Sequence, residues 1–461
     1  MRLATLLGPD LKQLLKDDPD QARLLLDELH AEDIADLVSE LEPDEAAKLL
    51  EHLPAEDAAP IFERLEEHEQ EELVEQMAPE SVALIASEME PDDRADLFSA
   101  LPEDVGDELM RTLERVDPEA AQDVRDIEKY ADTAAGHLMT TKFVSVPSKA
   151  TVADALAAVR AFVKDNEESP LYNVYVLDND RLFGIISLRE LVANEPGDRV
   201  DALSLTNIIS APPDMDQEEV ARCMAKYDLA AMPVIDSAGD LLGIITIDDI
   251  IDVLTQEQTE DVQRIGGVEP LDVPYFQTSF LEFIKKRGIW LVVLFGEEFF
   301  TQTALRFYDP VFEAIKGASY YVPLLISTGG NSGSQSSTLV IRGLAIGEIK
   351  PRDWWRILVR EAGMGLVLGL MLGSIGFLRV LMYKDQHIPF ALTVAGTLVG
   401  IVMTGCTVGS MMPLILKRFG VDPATSSTPF IASLVDVLGI IIFVHVAKII
   451  MADVILAGGV H

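Results

Sequence analysis

Hydrophobic and polar positions follow three different rhythms along the chain. Over residues 1–130, short apolar patterns such as Ala46-Ala47-Leu49-Leu50 and Leu97-Phe98-Leu101 lie between prolines at Pro43, Pro54, Pro79, Pro91 and Pro102. The prolines are spaced 11 or 12 apart with one place skipped near Glu66. Acids follow most of them, as in Pro43-Asp44-Glu45 and Pro91-Asp92-Asp93. Proline in a first helical turn gives up no hydrogen bond, and acids there complement the helix dipole. The repeat therefore predicts short helices stacked into an all-α solenoid. Over residues 131–254 the rhythm becomes helix, two short β runs joined by a polar turn, and helix, written twice. From residue 271 onward, apolar runs long enough to cross a bilayer recur at roughly 288–308, 318–343, 357–383, 389–416 and 429–457.

Charge divides the chain at the same place. The formal net charge is −41, yet residues 271–461 hold 13 acidic and 15 basic side chains. The first 270 residues carry 64 acids against 21 bases. Phosphate would be repelled by such a surface, which excludes nucleic acid as a partner. Hard divalent cations prefer carboxylate oxygen, so the same surface suits them, although a solvated acidic face accounts for part of the charge. Two cysteines, Cys223 and Cys406, one in each half, build no disulfide framework and point to a reducing compartment for the soluble half. The start, Met1 to Leu7, is too short an apolar run for a signal peptide.

Basic residues set the expected orientation. Lys285, Lys286, Arg287, Arg342, Lys350, Arg352, Arg356, Arg360, Lys417 and Arg418 fall on one side of five spans, against Arg306, Lys316, Arg379 and Lys384 on the other. That places the soluble half in the cytoplasm of a cell with its multi-pass domain in the inner (plasma) membrane, in contact with lipid. Trp354 and Trp355 read as interface anchors, and Phe276 to Lys286 as an amphipathic helix on the inner surface.

Two features within the spans carry candidate chemistry. The run Thr328-Gly329-Gly330-Asn331-Ser332-Gly333-Ser334-Gln335 lies at membrane depth. Its small residues allow helices to approach closely, and its glycines are expected to free carbonyls toward a water-filled path. Asn331 and Gln335 share a helix face and add amide oxygens. A lone carboxylate, Asp436, interrupts the apolar run from Phe430 to Phe443. Insertion of such a group costs roughly 2.5–3.5 kcal/mol, so it marks a functional site. Glu297 and Glu298 interrupt the first span, which must face protein or water there. Between the soluble repeat and the spans, the acids Asp249, Asp252, Glu257 and Glu260 crowd one connecting stretch, where like charges repel unless a cation intervenes.

The two middle copies resemble a tandem CBS pair. The residues that carry the likeness are Asn173-Val174-Tyr175-Val176-Leu177-Asp178 with Phe183-Gly184-Ile185-Ile186-Ser187, and Ala231-Met232-Pro233-Val234-Ile235-Asp236 with Leu242-Gly243-Ile244-Ile245-Thr246. The pair implies an adenosine nucleotide such as ATP, with Ser187, Arg189, Thr246 and Asp248 (or Asp249) at the ribose and phosphate contacts. Leu229 stands where an adenine-stacking aromatic is expected.

The order of parts, with Tyr321-Val322-Pro323-Leu324-Leu325, the glycine run, Ile341-Arg342-Gly343, Gly420-Val421-Asp422-Pro423-Ala424 and Pro429 to Gly439, resembles an MgtE-type magnesium channel over essentially the whole chain. The resemblance implies a homodimer that moves Mg²⁺ into the cytoplasm down its gradient, without enzymatic activity. It implies a multidomain chain: an all-α N domain over 1–130, an α/β CBS pair over 131–254, an acidic connecting and amphipathic helix over 255–287, and a polytopic α-helical pore domain with five spans over 288–461. Asp436 would be the pore carboxylate, with Gly329, Gly330 and Asn331 beside it. Asp92, Asp93, Asp96, Asp216, Glu218, Asp228, Asp249, Asp252, Glu257, Glu260 and Asp261 would hold regulatory Mg²⁺. Another divalent ion, Mn²⁺ or Co²⁺, is the alternative cargo; softer ions favour His or Cys, which are not beside Asp436 in sequence.

Overall fold

The computed structural model describes residues 26, 29–165, 171–271, 273, 275–383, 387–425 and 428–457. Lys384 and the Met1–Leu7 run lie outside them. The chain forms two compact units, residues 1–255 and 256–461.

The first unit opens with helices α1 (Ala31–Ser39), α2 (Pro43–His52), α3 (Ala55–Phe62), α4 (Glu67–Gln76), α5 (Pro79–Glu88), α6 (Pro91–Ala100), α7 (Glu103–Val116) and α8 (Pro118–Ile127). Pro43, Pro79, Pro91 and Pro118 occupy first turns, and Pro54 and Pro102 sit one residue earlier as caps. Each helix packs against the one two places on, which gives the expected stack. Its core runs from Leu37 and Leu50 through Phe62, Ala83 and Met89 to Leu113 and Val124. Arg94 is fully buried, and its guanidinium donates to the carbonyls of Ala86, Met89 and Ala120 at 2.5, 2.7 and 3.2 Å. It thereby ties α5 and α8 to α6 and fixes the start of α6.

The two αββα copies follow. The first contains β1 (Ser145–Pro147), α9 (Val152–Asp165), β2 (Asn173–Asp178), β3 (Arg181–Ser187), α10 (Leu188–Ala193) and α11 (Val200–Leu203). Its strands pair β1-β2-β3, parallel and then antiparallel. The second contains α12 (Gln217–Tyr227), β4 (Ala231–Ile235), β5 (Leu241–Thr246) and α13 (Ile247–Ile265), with β4 and β5 antiparallel. Apolar alternation buries Val174, Val176 and Ile186 in one copy and Met232, Val234 and Ile245 in the other. α13 is unbroken from the CBS copy into the connecting stretch.

The second unit contains α14 (Phe280–Phe307), α15 (Asp309–Ala314), α16 (Val322–Ala345), α17 (Trp354–Leu381), α18 (Ile388–Arg418), α19 (Thr428–Ile450) and α20 (Ala452–Ala457). Among the described residues three stretches are long and apolar enough to span a membrane: 351–381, 388–418 and 428–450. The expected count of five is not reached on that measure. α14 and α16 have 28 and 24 residues, long enough to cross, but Glu297 and Glu298 in one and the Ser-Gly-Asn-Gln run in the other reduce their apolarity. The separate amphipathic helix expected over 276–286 is absent. Ser279 caps α14 by accepting from Glu282, and the helix runs on unbroken, so Phe280 to Arg287 are its first two turns.

The glycine run also differs from expectation. α16 is helical throughout, so its carbonyls stay in the helical ladder rather than facing open water. Its glycines permit contact instead. A Cβ on Gly405 of α18 would lie 2.5 Å from the Gly329 carbonyl oxygen, and one on Gly409 would overlap Gly333. α17 meets α18 in the same way, through Gly365, Gly369 and Gly373 against Met403, Val399 and Ala395. Replacing Gly409 by isoleucine should force α16 and α18 apart, at about 1–3 kcal/mol for overpacking. The check is the thermal midpoint of the detergent-solubilised chain, expected several degrees lower than wild type. An unchanged midpoint would contradict the close packing.

Candidate functional site: carboxylates in two environments

In the first unit, sequence-distant acids meet where α6 and α13 begin. Asp92 and Asp93 occupy the first turn of α6 and Asp249 that of α13. Both helix starts offer partial positive charge, which suits acids there. Burial is the largest reason the carboxyls of Asp92 and Asp93 rise well above the usual range, and Asp249 reinforces it in both. Burial pushes Asp249 up to about 7, against hydrogen bonds from Thr246 whose hydroxyl donates at 2.6 Å. Glu63 is also pushed up to about 7, by burial first, although the Glu90 amide donates to it at 2.6 Å. Asp92 is buried, and its Oδ1 has no hydrogen-bond partner. A buried carboxyl oxygen without a donor is compensated by a proton or by a cation.

The other predicted regulatory acids are placed as follows. Asp96 accepts from buried His137 at 2.9 Å, so it neighbours the cluster through Asp93 but is already engaged. Asp252 is exposed, and its carboxyl is raised by partial desolvation and then by Glu32 and Asp248. Asp216, Glu218 and Asp228 do not join the cluster. Asp216 caps α12 by accepting from the Glu218 amide, Glu218 pairs with Arg222 at 3.3 Å, and Asp228 ends α12 in a left-handed turn with φ 52°. Glu257, Glu260 and Asp261 lie in the second unit. There Glu260 pairs with Arg264 at 2.8 Å, and Arg264 also grips Asp422 at 2.6 Å. Among the described residues no group of three or more His, Cys, Asp or Glu is disposed to hold a metal by itself. The eleven acids are therefore dispersed, and Asp92, Asp93 and Asp249 are the ones brought together.

The nucleotide candidates are partly committed elsewhere. Ser187 and Glu190 form a capping box at the start of α10, and Arg189 is exposed. Thr246 is buried against Asp249, and Asp248 is exposed beside it.

In the second unit, Asp436 lies on α19 opposite α16. A Cβ on Gly330 would lie 3.7 Å from Asp436 Oδ1 and 3.1 Å from the Ala432 Cβ, so the glycine leaves room for the carboxylate. Gly329 packs against Ile401 and Val435 instead. Asn331 and Gln335 share an exposed face of α16. Sequence reasoning missed Glu63 and Glu90, whose meeting needs helices far apart in sequence. It also missed Glu361, which is buried in α17 and accepts from Ser336 at 2.7 Å. A lone Glu in an apolar span was the available signal.

These parts define a multidomain membrane protein whose N-terminal half carries a helical solenoid and two αββα copies. Residues 322–446 match the MgtE description "Divalent cation transporter", 29–133 match the MgtE intracellular N domain, and 135–196 and 200–256 match the CBS domain. The magnesium transporter MgtE of Thermus thermophilus is 40% identical over 346 residues, covering 75% of this chain and 76% of the relative. MgtE of Enterococcus faecalis is 30% identical over 334 residues, covering 72% of each. The solved soluble part of a magnesium transporter aligns with TM-score 0.52 at 30% identity, covering 55% of this chain and 99% of that one. The cytosolic domain of the Mg²⁺ channel MgtE in complex with ATP aligns with TM-score 0.50 at 35% identity, covering 53% and 99%. The chain belongs to the MgtE family.

The raised carboxyls predict a pH dependence. Asp249 ionises near 7 when folded against 3.8 ordinarily, so between those values the folded state binds the extra proton. Stability then falls as pH rises through that window. Without divalent ions, the calorimetric midpoint of the soluble half should rise on going from pH 8 to pH 6, and Asp249→Asn should flatten the slope. A midpoint that falls on acidification would contradict the assigned environment.

Proposed function

We propose that the chain is a Mg²⁺ channel that admits the ion to the cytoplasm down its electrochemical gradient and closes when Mg²⁺ binds its soluble half. The observation that carries the reading is Asp436, a carboxylate in an apolar helix, set against Gly330 in a family of divalent-cation transporters. Mg²⁺ dehydrates reluctantly, so a path for it needs few carboxylates that grip the ion through its waters. One Asp436 per subunit, paired across a two-fold axis in a homodimer, meets that need. In this reading α14, α16, α17, α18 and α19 are five spans, which would leave the soluble half and the C-terminus on opposite sides of the inner membrane. The ten-to-four bias of basic residues supports the soluble half being cytoplasmic.

Regulation follows from like charge. Asp92, Asp93 and Asp249 would hold the regulatory ion, which when bound supplies the positive charge that lets the acids stay together. Bare, these carboxylates repel, and the starts of α6 and α13 favour separation. α13 continues past the CBS copy, so its displacement is available to the spans as a population shift. The ATP complex of a relative's cytosolic domain supports a nucleotide in this half of the chain, for which Ser187, Arg189, Thr246 and Asp248 of the CBS pair are the candidate contacts. Because Thr246 donates to Asp249, nucleotide and ion would then share one hydrogen-bonded pair. The relatives being magnesium transporters favours Mg²⁺ over Mn²⁺ or Co²⁺ as cargo.

Asp436→Ala should abolish Mg²⁺ flux into proteoliposomes while leaving expression and membrane insertion intact, since removing the carboxylate eases insertion. Normal flux through a well-folded Asp436→Ala protein would overturn the assignment.

A further inference from the structure

The transport reading leaves unexplained why the first span carries two adjacent acids. Glu297 and Glu298 sit near the middle of α14, among exposed Leu291, Val292, Phe295, Phe299 and Phe300. Neighbouring helix positions point about 100° apart, so the two carboxylates face different surroundings. Glu297 is turned toward α19, where Ser433 hydrogen-bonds it, and its Oε2 is buried without a partner. Glu298 is exposed and borders an open, mostly apolar cavity of about 510 Å³ that it lines together with Ser433, Leu291, Val292, Leu294 and Phe295.

Ser433 and Asp436 are three apart on α19 and share a face. Glu298 also lies within electrostatic reach of Asp436. A carboxylate at this depth does not face hydrocarbon; it faces water or a cation. The cavity supplies the room, and its wall reaches the face of α19 that carries Asp436.

We infer that Glu298 is a second carboxylate of the Mg²⁺ path, presented by the first span and acting with Asp436 on the hydrated ion. Glu297, held by Ser433, is the positioning residue that fixes the rotation of α14 against α19. This rests on the transport reading above and adds α14 to the helices that line the path. Two separated carboxylates suit outer-sphere contact with a hexahydrated ion better than one, because its charge is shared over a larger shell.

The test uses the full-length chain in proteoliposomes, with Mg²⁺ flux recorded against Mg²⁺ concentration. Glu298→Gln should raise the half-saturating Mg²⁺ by about tenfold, and Glu298→Asp should keep it within about twofold of wild type. In a background with Cys223→Ser and Cys406→Ala, Glu298→Cys should react with a membrane-impermeant thiol reagent, and Mg²⁺ should slow that reaction. Wild-type flux with an unchanged half-saturation in Glu298→Gln would overturn the inference alone. So would a cysteine at 298 that the reagent does not reach, or that Mg²⁺ does not protect; this labelling decides the matter if Glu298→Gln carries no flux. A wild-type protein without Mg²⁺ flux would overturn the transport reading, and this inference with it.

Discussion

Ionised carboxylates placed where water is scarce are the constraint on which this architecture depends. A buried carboxylate is tolerated only when donors, cations or protons compensate its charge. The chain applies that constraint twice, once at Asp92, Asp93 and Asp249 in the soluble half and once at Asp436 between helices. Among the described residues the nearby cations Arg94 and Lys142 pair with Asp123 and Glu90 rather than with Asp92, Asp93 or Asp249. Arg94, the large buried cation nearby in sequence, spends its donors on backbone carbonyls and stands 3.7 Å from Asp123. The arrangement is therefore stable in proportion to what binds it, which is what a sensor and a conduit both require.

Packing elsewhere serves to hold these carboxylates in place. Prolines cap or start six of the eight described N-domain helices, α6 among them, whose first turn carries Asp92 and Asp93. Glycines in α16, α17 and α18 bring the backbones close enough that Gly330 can stand beside Asp436 without a side chain between. The soluble acids are gathered by tertiary contact, whereas the membrane acid is exposed by the smallness of its neighbour.

Much of this was legible in the sequence where a local rule operates. The proline spacing marks helix starts because proline is best tolerated at caps and first turns, although Pro60 and Pro413 sit inside helices, and apolar alternation marks β2 to β5 because side chains alternate across a strand. Asp436 stood out because a charge in an apolar run is rare. Legibility failed where distance in sequence hid proximity. Glu63 and Glu90 are 27 apart and meet only through the solenoid stack. Asp216, Glu218 and Asp228 are ligands in what the resemblance implies, yet they cap or pair around α12, since short acids satisfy helix ends equally well. The glycine run forms the closely packed helix expected of its small residues, but its carbonyls do not open toward water, because tertiary contact with Gly405 and Gly409 holds a continuous helix despite the low propensity of glycine.

The central claim is that the same ion is cargo at Asp436 and signal at the starts of α6 and α13. The most direct measurement is flux through the reconstituted full-length chain against Mg²⁺ on the soluble-half side, comparing wild type with a triple Asp92→Asn, Asp93→Asn, Asp249→Asn variant. The account predicts that rising Mg²⁺ shuts the wild type and leaves the variant's flux flat, with unchanged ion preference in the open state. An identical inhibition curve in both proteins would contradict it.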